Sequence, residues 1–208
     1  MGESEIKESN CHFREVWQLY ARISPAGEVL DQDGLSFANA NQPWFFVNVG
    51  LLNKPIADDF DLEDRATEAV KYFGASRNPW LLTASEDWFG SNAPSVLSNV
   101  GLECKLDLIG MLAERLSPPT RALPNVDLRR IGAFAVPIAK ALYVAWVATS
   151  KGHRGLGLAE LVIRTCLEDA RKATGLERTV LHATKYGFPV YQRMGYRSVV
   201  RFPLYALK

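Results

Sequence analysis

Two short stretches carry residues whose types and spacing could do chemistry. In YVAWVATSKGHRGLGLA, residues 143–159, an apolar run passes through a glycine-rich turn into a segment of helical periodicity. Gly155 and Gly157 remove side chains where backbone must approach a ligand, so amide N–H groups at a helix start can face an anion, and Arg154 adds charge. That chemistry suits a diphosphate. A lone glycine-rich turn is also read as a surface turn whose glycines only supply positive φ, so a second element is needed. It lies in LHATKYGFPVYQRMGYR, residues 181–197, a strand followed by a short helix stopped at Gly195, with Tyr191 near the helix C-terminus. A phenol with a pKa of about 10 keeps its proton at neutral pH and can give it to a departing anion. A tyrosine on a short helix also commonly buries its ring and leaves the hydroxyl at the surface, so the packing role stands beside the acid role.

The two stretches, in this order and separated by a helix and a strand, resemble the GNAT superfamily of N-acetyltransferases over residues 143–208. In that family an Arg/Gln-x-x-Gly-x-Gly/Ala turn binds the pyrophosphate of acetyl-CoA, and Arg154, Gly157 and Ala159 match its three positions. Tyr191, Gly195 and Tyr196 match the YxxxGY/F pattern, whose tyrosine is the general acid toward the CoA thiolate. The resemblance implies acetyl-CoA as co-substrate. Its cofactor-binding residues would be Val147, Ala148 and Thr149, pairing by backbone with the pantetheine amides, together with Arg154, Gly155, Leu156, Gly157, Leu158 and Ala159 around the phosphates. Thr184 stands where many relatives have an amide contacting CoA, and a local turn role is equally open. The catalytic residue implied is Tyr191; no metal is implied. His182, on the expected central strand, reads as a core or cleft histidine rather than a base, and Glu86 and Asp87 either face a cleft or are solvated.

These residues need elements to position them. Ala159, Val162, Cys166 and Ala170 recur at helical spacing, Glu168 stands four residues before Lys172, and Gly175 can take the left-handed position that ends a helix. RTVLHA, residues 178–183, reads as a buried parallel strand reached through that crossover helix. In the family's fold this strand and the one before the turn splay apart to admit the pantetheine arm.

Further toward the N-terminus, FREVWQLYARI (13–23) predicts a helix, then a connection to Pro43. WFFVNVGLL (44–52) predicts a strand, LEDRATEAVKYFG (62–74) a helix, WLLTASED (80–87) a strand, APSVLSNVG (93–101) a short helix and LECKLDLIGML (102–112) a strand. This order repeats that of the C-terminal part: SVLSNVGLE (95–103) aligns with PVYQRMGYR (189–197), pairing Gly101 with Gly195 and Leu97 with Tyr191. Coincidence between two generic α/β segments is the competing explanation. The earlier copy has NKPIADDFDLED in place of GHRGLGLA, acidic and without glycine, so it reads as degenerate and non-catalytic.

SPPTRALP, 117–124, is the best linker, since consecutive prolines favour an extended path. The domains expected are 1–116, a degenerate N-terminal unit; 117–125, a linker; and 126–208, the acetyl-CoA-binding N-acetyltransferase domain. VDLRRI (126–131) reads as its opening strand. The eleven residues Gly132–Leu142 leave room for at most one short element with a break at Pro137, so this domain is abbreviated before its cofactor strand. The fold class is α/β, a GNAT-like mixed sheet flanked by helices, with two related units in tandem.

Composition limits the partners. The 208 residues are 48% hydrophobic, which suits one sizeable core or two small ones, and the net charge of +1 argues against nucleic acid. No run of 18 apolar residues occurs and the first ten residues are polar, so neither a membrane span nor a secretory signal is expected. Cys11, Cys104 and Cys166 show no metal or redox spacing and read as reduced thiols of a cytoplasmic protein, and His12, His153 and His182 are scattered. The function expected is transfer of an acetyl group from acetyl-CoA to a small-molecule or peptide amine by direct attack, with a homodimer left open. The alternative is a catalytically silent acyl-CoA-binding or interaction module. A nucleotide-binding α/β protein is disfavoured, since no G-x-G-x-x-G or G-x-x-x-x-G-K-[ST] follows a strand.

Overall fold

The computed structural model describes residues 3–128 and 135–208. Two compact units divide the chain, Met1–Leu108 with Val200–Lys208, and Ile109–Val199, so the boundaries fall inside two long strands and the 117–124 segment lies within the second unit.

The first unit runs α1 (Glu3–Ile23), β1 (Glu28–Asp31), β2 (Leu35–Asn39), β3 (Asn48–Leu52), α2 (Asp59–Gly74), β4 (Leu81–Thr83), α3 (Ala93–Asn99) and the opening of β5 (Leu102–Ala113). Its strand order is β1-β2-β3-β4-β9-β5, where β9 (Arg197–Leu207) is the last strand of the chain. Strands β3 and β4 pair in parallel across α2, and the other recorded pairs are antiparallel. Leu62, Ala66, Ala69 and Phe73, at helical spacing on α2, pack with Phe37, Leu82 and Leu97 into a buried core. Helix α1 begins ten residues before its apolar periodicity because a polar contact anchors its early turns. Asn10 donates to the Ser85 Oγ at 2.7 Å and accepts from the Ser85 N–H at 3.0 Å.

Several expectations for this unit need correction. The stretch 24–43 is not only a connection: it contains the hairpin β1–β2, whose first strand is mostly exposed and so carries no apolar alternation. Residues 44–47 turn before β3 begins. The 80–87 strand stops at Thr83, and Glu86–Trp88 form a 3₁₀ turn. The Glu86 carboxylate accepts from the Arg201 Nε at 2.7 Å.

The second unit takes the end of β5, an irregular path over 114–128, then β6 (Ala135–Ile138), β7 (Ala141–Val144), α4 (Leu158–Thr174), β8 (Thr179–Thr184), α5 (Phe188–Arg193) and the start of β9. Its strand order is β5-β8-β7-β6. The segment before the glycine-rich turn makes two strands, not one element broken at Pro137. Proline is tolerated in β6 because β6 is the edge of the sheet, where a missing N–H interrupts no inner ladder. The expected strand over 126–131 is absent from 126–128, and residues 129–131 lie outside the described residues, as do 132–134.

Helix α4 also differs in phase from its predicted apolar stripe. The buried positions are Glu160, Ile163 and Leu167, while Ala159, Val162 and Cys166 flank them half-buried. Complete burial of Ile163 and Leu167 contributes about 1.5–3 kcal/mol each. The helix ends as its sequence requires, with Gly175 at φ 72° and its N–H on the Arg171 carbonyl at 2.8 Å. No helix among the described residues is long and apolar enough to cross a membrane.

Candidate active site

The predicted strand into the glycine turn is cut short. Strand β7 ends at Val144, and its parallel pairing with β8 covers Leu142↔Thr179 and Tyr143↔Val180, whereas β8 continues to Thr184. Trp146 then takes a positive φ of 56°, a conformation that costs an L-residue about 1–2 kcal/mol and marks where the chain leaves the ladder. Val147, Ala148 and Thr149 follow without strand partners, so their backbone groups border the opening between β7 and β8.

That opening belongs to a cleft of ≈ 730 Å³ in the second unit. Of the residues singled out in the sequence, Val147, Ala148, Thr149, Arg154, Gly155, Gly157, Leu158, Ala159, Thr184 and Tyr191 line it; Leu156 does not and is exposed. His153 lines it as well, and so do Arg121, Glu160 and Arg193, which were missed as contacts. No sequence signal near Arg121 marks it, because its place follows from where the 117–124 segment runs.

The helix start is open. Gly157 is the N-cap of α4 in the left-handed region, φ 79°, with no side-chain hydrogen bond to the first-turn amides. Those amides therefore have no capping side chain and are open to solvent or to a group in the cleft. Arg154 hydrogen-bonds through Nε to the Thr149 carbonyl at 3.1 Å, and His153 Nδ1 pairs with the Ser150 Oγ at 2.8 Å, holding a guanidinium and an imidazole beside the turn. Glu160 is 2% exposed; its Oε1 accepts from Arg164 Nε and Nη2 at 2.9 and 2.8 Å, while its Oε2 is buried without a hydrogen-bond partner. A buried acceptor left unsatisfied in a cleft wall is a seat for a ligand donor.

Tyr191 occupies the other wall. Its ring meets Tyr196 edge-on at 5.7 Å and joins a core with Met194, Leu181 and Ile163. Gly187 leaves it room, since a Cβ there would stand 3.1 Å from the Tyr191 ring. Burial, and secondarily Tyr196, push the Tyr191 phenol above its ordinary range, so it holds its proton throughout the neutral region. Gly195, φ 95°, stops the helix. Thr184 accepts from the Gly187 N–H at 3.3 Å, which realises the turn role while leaving it on the cleft. His182 bonds through Nδ1 to the Tyr143 hydroxyl at 2.7 Å, a satisfied strand-to-strand contact.

A mixed sheet, an open helix start, a segment without strand partners and a buried phenol thus meet around one cleft. Residues 120–202 match the acetyltransferase (GNAT) domain family. Among solved structures, the chain is similar to a GCN5-related N-acetyltransferase from Kribbella flavida, with a TM-score of 0.70 at 14% identity, over 100% of this chain and 96% of that one. It is similar to a functionally unknown conserved protein from Staphylococcus epidermidis ATCC 12228, TM-score 0.60 at 10% identity, over 97% and 98% of the two chains. A GCN5-related N-acetyltransferase from Sphaerobacter thermophilus gives 0.54 at 11% identity, over 88% and 78%. These likenesses are of fold. No curated protein matches the sequence.

Proposed function

We propose that the second unit transfers an acetyl group from acetyl-CoA to an amine by direct attack. The observation that carries this reading is the α4 start, where a left-handed glycine cap without a side-chain partner opens onto the same cleft as Tyr191. The first-turn amides of α4 with Arg154 would hold the diphosphate, and the backbone of Val147–Thr149 would pair with the pantetheine amides as an added strand.

Acetyl-CoA supplies the activated thioester. The amine lone pair forms a C–N bond to the carbonyl carbon, the C–S bond breaks, and the sulfur takes the Tyr191 proton while the former amine loses its own proton to solvent or a base. Burial of Tyr191 keeps it protonated until that step, since ionising it in the core is disfavoured. The few residues spent on β6 and β7 before the glycine turn favour a second reading, in which the donor binds and no acceptor site is complete.

Calorimetric titration with acetyl-CoA, followed by a thiol-release screen over small amines, amino acids, aminoglycosides and peptides, tests both. One acetyl-CoA per chain and acceptor-dependent thiol release are expected. Binding without release above background would leave the silent binder, and no binding would remove both readings.

A further inference from the structure

Residues 117–124 behave as a strap across the cofactor side of the second unit. The Ser117 N–H donates to the Met194 carbonyl at 2.8 Å, and a Cβ on Gly195 would stand 2.5 Å from Ser117 Oγ. Further along, Arg121 Nη1 donates to the Gly155 carbonyl at 3.2 Å, and a Cβ on Gly157 would meet Pro124 Cδ at 3.3 Å and Arg121 Nη2 at 3.4 Å. The strap is thus fastened beside the glycines of both motifs. It lays the Arg121 guanidinium over the turn that starts α4, on the cleft wall.

A guanidinium has five N–H donors in a planar fork. One is engaged by Gly155, and among the described residues no carboxylate pairs with Arg121. The Arg154 side chain is meanwhile held on its own Thr149 carbonyl. Anchored through Nη1, the Arg121 fork is fixed in direction, with Nε and Nη2 3.7 and 3.4 Å from the position a Gly157 side chain would take. The space beside an α-helix start with uncapped amides is where anionic oxygens are stabilised, and a fixed fork there binds them bidentately.

We propose that Arg121 is a phosphate-binding residue, its guanidinium gripping a phosphate group on the nucleotide half of the acyl-CoA from the side opposite the helix amides. This rests on the reading of the cleft as an acyl-CoA site. It adds a contact from outside the R-x-x-G-x-A turn, delivered by a segment that the sequence presents as a linker.

The test is calorimetry of the full chain with CoA, 3′-dephospho-CoA and pantetheine, on the wild type, Arg121→Gln and Arg121→Lys, each checked by thermal melting. Arg121→Gln is expected to weaken CoA about 10- to 100-fold, to leave pantetheine unchanged and to flatten the salt dependence of CoA binding. Arg121→Lys is expected to fall between, because a point charge lacks the fork. An equal loss with 3′-dephospho-CoA assigns the contact to the diphosphate; disappearance of the loss assigns it to the 3′-phosphate. Undiminished CoA affinity in a folded Arg121→Gln protein overturns the proposal, as does an equal loss for pantetheine, which would make Arg121 a prop for the loop. If the wild type binds none of these ligands, the reading of the cleft itself fails.

Discussion

The starts of α2 and α4 occupy the same place in two strand-helix-strand units and solve the same electrostatic problem in opposite ways. At α2 the chain supplies its own anion. Asp58 is the N-cap and accepts from the Asp61 N–H at 2.9 Å, and the Asp61 carboxylate accepts from the Ala57 N–H and from Arg65. The Arg65 guanidinium also donates to the Gly34 and Lys54 carbonyls, each at 3.0 Å, so the region is filled by protein. Partial desolvation raises the Asp61 carboxyl, but the Ala57 N–H and Arg65 hold it below its ordinary value overall. At α4 the cap is Gly157, which offers no side chain, and the amides open onto the cleft. A helix start that is internally satisfied leaves no room for an outside anion; one left open can receive it.

The same contrast recurs one helix later. Helices α3 and α5 both end in a residue near φ −79°, Val100 and Met194, followed by a glycine at strongly positive φ, Gly101 at 90° and Gly195 at 95°. Leu97 and Tyr191 sit at matching positions before those glycines and both are buried. Only the second carries a proton to give.

The comparison is broken most severely by making Tyr191 resemble its counterpart. Tyr191→Phe retains the ring packing and removes the hydroxyl, so kcat is expected to fall about 10²- to 10⁴-fold with acetyl-CoA affinity unchanged, the usual worth of a positioned acid. Steady-state thiol release together with calorimetry checks the split. Full-rate turnover in the variant would remove Tyr191 from the chemistry and leave the fold untouched.

Closing the α4 start should have the next largest effect. Gly157→Glu forces an L-residue into φ 79° and places a carboxylate where the diphosphate would lie, as the first unit does with Asp58. Acetyl-CoA affinity is expected to drop about 100-fold, roughly 2.7 kcal/mol, while the circular-dichroism spectrum keeps its helical content. Wild-type affinity in a folded variant would exclude this turn as the cradle.

The reverse change should be the mildest. Asp58→Ala removes the α2 cap and is expected to lower stability by about 1 kcal/mol in chemical denaturation, with acetyl-CoA binding unaltered at one per chain. A change in stoichiometry or affinity would mean that the first unit takes part in binding the donor.

Periodicity and punctuation made much of the fold legible. The acids opening α2, the left-handed Gly175 closing α4 and the glycines after α3 and α5 are local signals, read from a few neighbouring residues. The β1–β2 hairpin was not legible because its edge strand is mostly exposed and shows no alternation, and the phase of α4 was misread by one residue because Glu160, a charged residue, sits on its buried face beside Arg164. The hairpin β6–β7 was hidden by Pro137, which argues against a strand unless the strand is known to be an edge.

By itself the sequence determined the two motifs, their order, and the asymmetry between an acidic and a glycine-rich helix start, because each depends on residue type at fixed short spacing. Tertiary structure alone decided which of those residues share one cleft, that β7 gives out after Val144 while β8 continues, and that a strap from residues 117–124 brings Arg121 onto the α4 turn. These are contacts between segments 30 or more residues apart. Local propensity carries no information about which distant segments meet; packing of the whole unit does.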